Sequence, residues 1–157
     1  MLDETSLFLH RVVDDMPEHQ RKMLVNLYDK DHMFRDKKVL VVDDDMRNIF
    51  ALTQVLEASK MKVMMAPNGE KALEILDKDN TFDLVLMDIM MPVMDGYETM
   101  EKIRKDKRFN NLPIIALTAK AMKEDRDKSI AAGANDYLSK PVDLQKLFNL
   151  MRIWLYQ

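Results

Sequence analysis

Three unbroken apolar runs, at residues 39–42 (VLVV), 84–87 (LVLM) and 114–117 (IIAL), constrain this chain more than any other feature. Each has the length of a strand and no polar position, so neither of its faces can point to water. That suits strands of a parallel sheet covered on both sides by helices. Two weaker runs, 62–66 (KVMMA) and 136–139 (DYLS), carry polar residues, as sheet edges do. Helical spacing fills the intervals. The first helix uses Ile49, Leu52, Val55 and Leu56. The second follows Asn68 as its cap and uses Ala72, Leu73 and Leu76. The third uses Tyr97, Met100 and Ile103. A fourth, near residues 120–132, has few large apolar residues, whereas the last is strongly amphipathic through Leu144, Leu147, Phe148, Met151 and Trp154. Five strand–helix units require right-handed crossovers and a parallel sheet. Three central and two edge strands fit an α/β, doubly wound, five-stranded sheet in the order 2-1-3-4-5.

The first 36 residues differ in texture. They contain no strand-like run, and Leu9, Val13, Met16 and then Met23, Leu24, Leu27 and Tyr28 recur at helical spacing. Pro17 fits the first turn of a restarted helix, where its missing N–H costs nothing. We therefore expect a helical extension over 1–36, as a hairpin or broken helix, and the α/β domain over 37–157.

Several function classes are excluded by composition. With no cysteine, the chain has neither disulfides nor thiolate metal sites. No stretch reaches the roughly 20 apolar residues that span a bilayer, and acidic residues stand where a signal peptide has its basic region. The expectation is a cytoplasmic chain, or the cytoplasmic portion of a membrane-bound one, without direct membrane insertion. The net charge of −3 argues against nucleic acid as a partner. The run Arg35-Asp36-Lys37-Lys38 is too short to change that, and is expected to solubilise the start of a strand.

In doubly wound sheets, ligands bind beyond the carboxyl ends of the strands where strand order reverses, here between the first and third strands. The first strand is followed by Asp43-Asp44-Asp45, the third by Asp88, the fourth by Thr118-Ala119 and the fifth by Lys140-Pro141. The second ends in Pro67-Asn68-Gly69 and offers nothing reactive. Carboxylates of Asp43, Asp44 and Asp88 brought together repel unless protonated or neutralised. A hard divalent cation resolves that conflict. Lys140 adds a compact positive charge and Thr118 a hydroxyl donor. An arriving phosphoryl group would meet a nucleophile, a cation, an ammonium and a hydroxyl, which is what phosphoryl transfer needs.

These residues carry a resemblance. From Lys37 onward the chain resembles the receiver domain of two-component response regulators, a flavodoxin-like fold. The shared features are the acidic pair after the first strand, Asp-x-x-Met-Pro-x-Met-Asp-Gly from Asp88 to Gly96, Thr118-Ala119, and Lys140-Pro141. The resemblance implies that Asp88 is the phosphorylated residue and that Mg²⁺, or Mn²⁺, is the cofactor. Asp44 would ligate the ion directly, Asp43 largely through water, and Met90 through its backbone carbonyl, with Asp88 itself a ligand. Lys140 would pair with Asp88 and then with the phosphoryl oxygens, with a cis bond to Pro141. Thr118 would swing inward and Tyr137 would follow as the switch aromatic, biasing the face made by the fourth helix, fifth strand and fifth helix. Met90 and Lys120 would tune hydrolysis of the acyl phosphate. The donor would be a phosphohistidine on a histidine kinase or phosphotransfer domain, with a homodimer as a further candidate partner. Such a domain catalyses its own phosphorylation and dephosphorylation. The first 36 residues resemble linkers inside hybrid sensor kinases, which makes the chain a candidate terminal receiver of a hybrid histidine kinase.

Blander readings compete at several positions. Asp45 reads as a helix cap rather than a ligand. Asp95-Gly96 reads as a turn before the third helix. The methionines Met87, Met90, Met91 and Met94 suggest a soft-metal site, but no His or Cys accompanies them and Met is a common gap-filler. His10 lacks the context of a kinase histidine, and His19 and His32 lack any motif; all three read as surface residues. Among other functions, haloacid-dehalogenase-like phosphatases would use Asp43-x-Asp45, but Arg47 breaks their pattern and no room remains for a cap. Degenerate receivers lose the acceptor or the lysine, and this chain keeps both. A flavin site lacks its Ser/Thr-rich phosphate loop.

Overall fold

The computed structural model describes residues 34–119 and 122–156. The chain divides after Arg35, and the unit Asp36–Gln157 is the α/β domain. The helical segment expected over 1–36, with its three histidines, lies outside the described residues apart from its last three positions, and so does Lys120.

Five strands form one parallel sheet: β1 (Lys38–Val42), β2 (Lys62–Ala66), β3 (Leu84–Asp88), β4 (Ile114–Thr118) and β5 (Asp136–Ser139). Their order is β2-β1-β3-β4-β5, as expected. Every residue of β3 and β4 is buried, and β1 is buried after its first residue, whereas β2 and β5 at the edges are largely not. The apolar runs therefore reported position in the sheet as well as strand identity. Strand register sets Val42 beside Met87, Asp88 beside Leu117, and Thr118 beside Ser139. The reactive ends of four strands thus finish at one edge.

Helices α1 (Met46–Ala58), α2 (Gly69–Lys78), α3 (Gly96–Lys105), α4 (Lys123–Ala132) and α5 (Leu144–Leu155) alternate with the strands. Four begin with a side-chain cap that satisfies orphan N–H groups: Asp45, Asn68, Asp95 and Asp143. The fourth, α4, differs. Met122 at its cap position makes no side-chain bond, and its buried residues are only Ser129 and Ala132. The scarcity of large apolar residues in that segment accounts for this sparse packing. In α5 the stripe holds at Leu147, Phe148 and Met151, while Leu144 is exposed. None of the helices in the described residues is long and apolar enough to cross a membrane.

Two polar side chains do more than solubilise. Lys38 pairs with Asp79, contacts Thr81 Oγ1 at 3.1 Å and lies over the Phe82 ring, while its N–H donates to Asp83. It therefore ties β1 to the loop ahead of β3, beyond the solubilising role expected for its run. Arg104, at the end of α3, donates to the carbonyls of Gly133 and Phe109 and to Asn135 Oδ1. That clamp gathers the ends of α3 and α4 and the approach to β5. Its planar fork of donors suits three separate acceptors.

Gly96 is fixed by crowding. A Cβ there would lie 2.4 Å from the Asp88 carbonyl oxygen and 2.7 Å from Ile89 Cα, both backbone atoms. The close approach lets the Gly96 N–H donate to the Ile89 carbonyl at 3.0 Å. Gly96→Ala should cost about 1–3 kcal/mol, the usual range for overpacking, measured by urea unfolding. Unchanged stability would show that α3 can retreat freely from the end of β3.

Candidate functional site

The three consecutive aspartates after β1 take three separate roles. Asp43 is fully buried and accepts the Asp45 N–H on Oδ1 at 2.8 Å. Asp44 is exposed at the lip. Asp45 caps α1 by accepting the Arg47 N–H, as its position ahead of the helix implied. Asp88 ends β3 and is only 2% exposed. One carboxylate oxygen from each of Asp43, Asp44 and Asp88 falls within 4.8 Å of the others.

Lys140 reaches this group from beyond β5. Its Nζ is 3.0 Å from Asp88 Oδ1 and 3.1 Å from Asp43 Oδ2. The Lys140–Pro141 peptide is cis, and the Lys140 N–H donates to the Thr118 carbonyl at 2.6 Å. The lysine backbone is thereby fixed to the end of β4 while its ammonium spans both buried carboxylates. Behind it lies a largely apolar cavity of about 270 Å³, walled by Leu52, Val55, Leu117 and Val142. Its polar end is formed by Asp43 and Lys140.

Burial is the main cause that pushes the Asp88 carboxyl up to about 6, and the negative charge of Asp43 adds to it. The hydrogen bond from Lys140 and the Met90 N–H, which donates to Asp88 Oδ1 at 3.3 Å, work in the opposite direction. For Lys140, burial alone would lower the ammonium pKa. Its hydrogen bonds to Asp88 and Asp43 and their charges outweigh that and hold it above the usual lysine value. One ammonium thus bridges two of three clustered carboxylates, and the group is short of positive charge. Clustered hard oxygens with a charge deficit fit a small divalent cation such as Mg²⁺.

Thr118, the last residue of β4, is buried beside this group. Tyr137 is not brought to it. The ring is half-buried against the core, and its residue pairs with Ala116, one pleat back from the edge. Arg126 of α4 lies over that ring, 6.0 Å from its centroid. Met90 is 60% exposed at the lip. The methionines proposed as a soft-metal set diverge, since Met87 and Met91 are buried and Met90 is not. Sequence reasoning undervalued Gly96, whose close approach to the Asp88 carbonyl seats α3 against the end of β3. The Asp-Gly pair was visible, but the crowding that requires it is tertiary.

Comparison with known proteins points the same way. The family model for the response regulator receiver domain matches residues 39–152. The "Uncharacterized 14.6 kDa protein in sodA1 3'region" of Leptolyngbya boryana is 41% identical, over 73% of this chain and 86% of that protein. Sensor histidine kinase GacS of Pseudomonas protegens is 37% identical over 76% of this chain, which corresponds to only 13% of that kinase. The receiver domain of sensor histidine kinase PA1611 from Pseudomonas aeruginosa PAO1 has a magnesium ion coordinated in its active-site cleft. It matches with a TM-score of 0.72 at 32% identity, covering 78% of this chain and 99% of that domain.

The electrostatics predict a pH signature. The Asp88 carboxyl is raised in the folded chain, so its protonated form contributes stability that is present near pH 4 and lost as pH rises through about 6. Without divalent cation at pH 7.5, Asp88→Asn should therefore be more stable than wild type by about 1–3 kcal/mol. The gap should close near pH 4, and magnesium should narrow it at pH 7.5. Denaturant unfolding in EDTA checks this, and a destabilised Asp88→Asn at pH 7.5 would contradict it.

Proposed function

The chain belongs to the response regulator receiver domain family of two-component signalling, and on that premise we propose that Asp88 is its phospho-acceptor. The carrying observation is the ammonium of Lys140 between two buried carboxylates at 3.0 and 3.1 Å, at the switch point of the sheet. Both Lys140 and the Met90 N–H bind Asp88 through Oδ1. The other oxygen, Oδ2, is therefore the nucleophile, and the bond to Lys140 orients it. Asp43 suits that role poorly. Its Oδ1 accepts the Asp45 N–H and its Oδ2 accepts from Lys140, so both oxygens are engaged. This argues against a phosphatase that would use Asp43.

Asp43, Asp44, Asp88 and the Met90 carbonyl are the groups that would hold Mg²⁺, which when bound offsets the carboxylate charge and that of the phosphoryl oxygens. Asp88 attacks phosphorus, the P–N bond of a phosphohistidine donor breaks, and the imidazole leaves with the bonding pair. Lys140 stays close to the transferred group and offsets its charge, and the Thr118 hydroxyl donates to a phosphoryl oxygen. The donor is a histidine kinase or phosphotransfer domain. The similarity to GacS supports an origin within a hybrid histidine kinase.

The response is carried by the weakest element. Helix α4 has two buried residues, both small, and no side-chain cap. Inward movement of Thr118, with Tyr137 following, shifts the balance between two arrangements of α4, β5 and α5. A gap of a few kcal/mol is enough for such a switch.

Two experiments test this reading. Incubation with acetyl phosphate and Mg²⁺ should add a single phosphoryl group at Asp88, seen by intact mass and peptide mapping. The addition should be absent in Asp88→Asn and with EDTA. Labelling of Asp43 in Asp88→Asn, or indifference to magnesium, would sink the assignment. Beryllofluoride with Mg²⁺ should shift amide resonances of α4 and β5 as well as the acidic pocket, and shifts confined to the pocket would remove the switch.

A further inference from the structure

Three loops leave the reactive edge of the sheet at β1, β3 and β4, and each presents one strongly exposed methionine. Met46 opens α1 directly after the aspartate run, Met90 stands two residues past Asp88, and Met122 is the cap residue of α4. Their exposures are 60%, 60% and 65%, the largest among the described methionines. By contrast Met61, Met87, Met91, Met100 and Met151 are buried, and the two exposed methionines of edge strand β2 are less open. The most exposed thioethers among the described residues therefore sit on the loops that follow β1, β3 and β4, at the reactive edge of the sheet.

We propose that Met46, Met90 and Met122 form an oxidation-sensitive rim, in which conversion of the thioethers to sulfoxides by a hydroperoxide blocks phosphoryl transfer from a protein donor. The blocking half of this inference rests on the function proposed above. In the chemical step sulfur is oxidised by two electrons. The terminal peroxide oxygen forms the S–O bond, the O–O bond breaks, and the peroxide is reduced to water or an alcohol. The product is polar and chiral where the reactant was flexible and apolar.

The selectivity of the block follows from depth. Asp88 is 2% exposed, so a phosphohistidine carried on a protein must bring its surrounding surface down onto the rim. Flexible apolar methionines suit such a contact, and three sulfoxides replace it with dipoles that must be desolvated. A small phosphodonor enters the pocket without covering the rim and does not meet this penalty. Oxidation therefore separates donors by size while Asp43, Asp44, Asp88 and Lys140 remain chemically unaltered.

The test treats the full chain with dilute hydrogen peroxide and maps sulfoxides by peptide mass spectrometry. Phosphorylation by acetyl phosphate is then compared with transfer from a phosphorylated histidine phosphotransfer protein that labels the untreated chain. Sulfoxide should accumulate faster at Met46, Met90 and Met122 than at Met64 or Met65. Transfer from the protein donor should fall at least fivefold, while labelling by acetyl phosphate changes less than twofold. The Met46→Leu, Met90→Leu, Met122→Leu triple variant, compared with its own untreated sample, should lose the peroxide effect, and methionine sulfoxide reductase should restore transfer to the oxidised wild type. Equal oxidation of Met64 and Met65, equal loss with both donors, or full inhibition of the triple variant would each overturn the proposal. Failure of the untreated chain to label at Asp88 would instead refute the phospho-acceptor reading, and the oxidation rates would still be read.

Discussion

Two carboxylates buried side by side repel each other, and the reactive edge of this domain is organised around that cost. Asp43 and Asp88 sit at the ends of adjacent strands with almost no solvent exposure, and Lys140 bridges them. Removing Lys140 would leave both buried carboxylates uncompensated, typically at about 3–5 kcal/mol. Burial first, and then the nearby charge of Asp43, raises Asp88, and the clustered carboxylate oxygens fit a small divalent cation. That crowding of buried charge burdens the folded state at neutral pH.

Positioning of that cluster depends on rigid supports at a distance from it. The register of β1, β3 and β4 aligns the acidic ends, and Gly96 lets α3 press its first turn onto the backbone of Asp88. At the opposite end of α3, Arg104 collects three acceptors, the Gly133 and Phe109 carbonyls and Asn135 Oδ1. Helix α3 is thus fixed at both ends. Helix α4 shares only the clamp at its C-terminal side, through Gly133, and begins without a side-chain cap. Cation–π contacts from Arg126 to Tyr137 and from Lys128 to Tyr97 replace the apolar anchoring that its sequence lacks. Each is worth about 0.5–1 kcal/mol at an exposed site, so the helix is held by weak, separable contacts. A stiff side and a soft side of one domain are what a local chemical event needs to become a change of shape.

The similarity to known proteins supports the same division. The family match and the PA1611 receiver cover nearly all of the α/β unit. The match to GacS is a small fraction of that kinase, so its other activities do not transfer to this chain. What the domain shares with the solved PA1611 receiver is the wound sheet.

Strand identity and order were legible in the sequence because burial on both faces leaves no polar positions in residues 39–42, 84–87 and 114–117. Topology then forced Asp43, Asp88, Thr118 and Lys140 to one edge before any coordinate was known, since parallel strands end their carboxyl termini together. The separate fates of Asp43, Asp44 and Asp45 were only partly legible: capping by Asp45 has a local cause, but the complete burial of Asp43 depends on neighbouring strands. The crowding at Gly96, the reach of Lys38 and Arg104, and the position of Tyr137 one pleat below the pocket had no sequence signal. Periodicity reports which face of an element is buried, because water acts on every residue alike. Burial depth and distances between side chains far apart in the chain arise only when packing fixes them, and together they raise the Asp88 carboxyl.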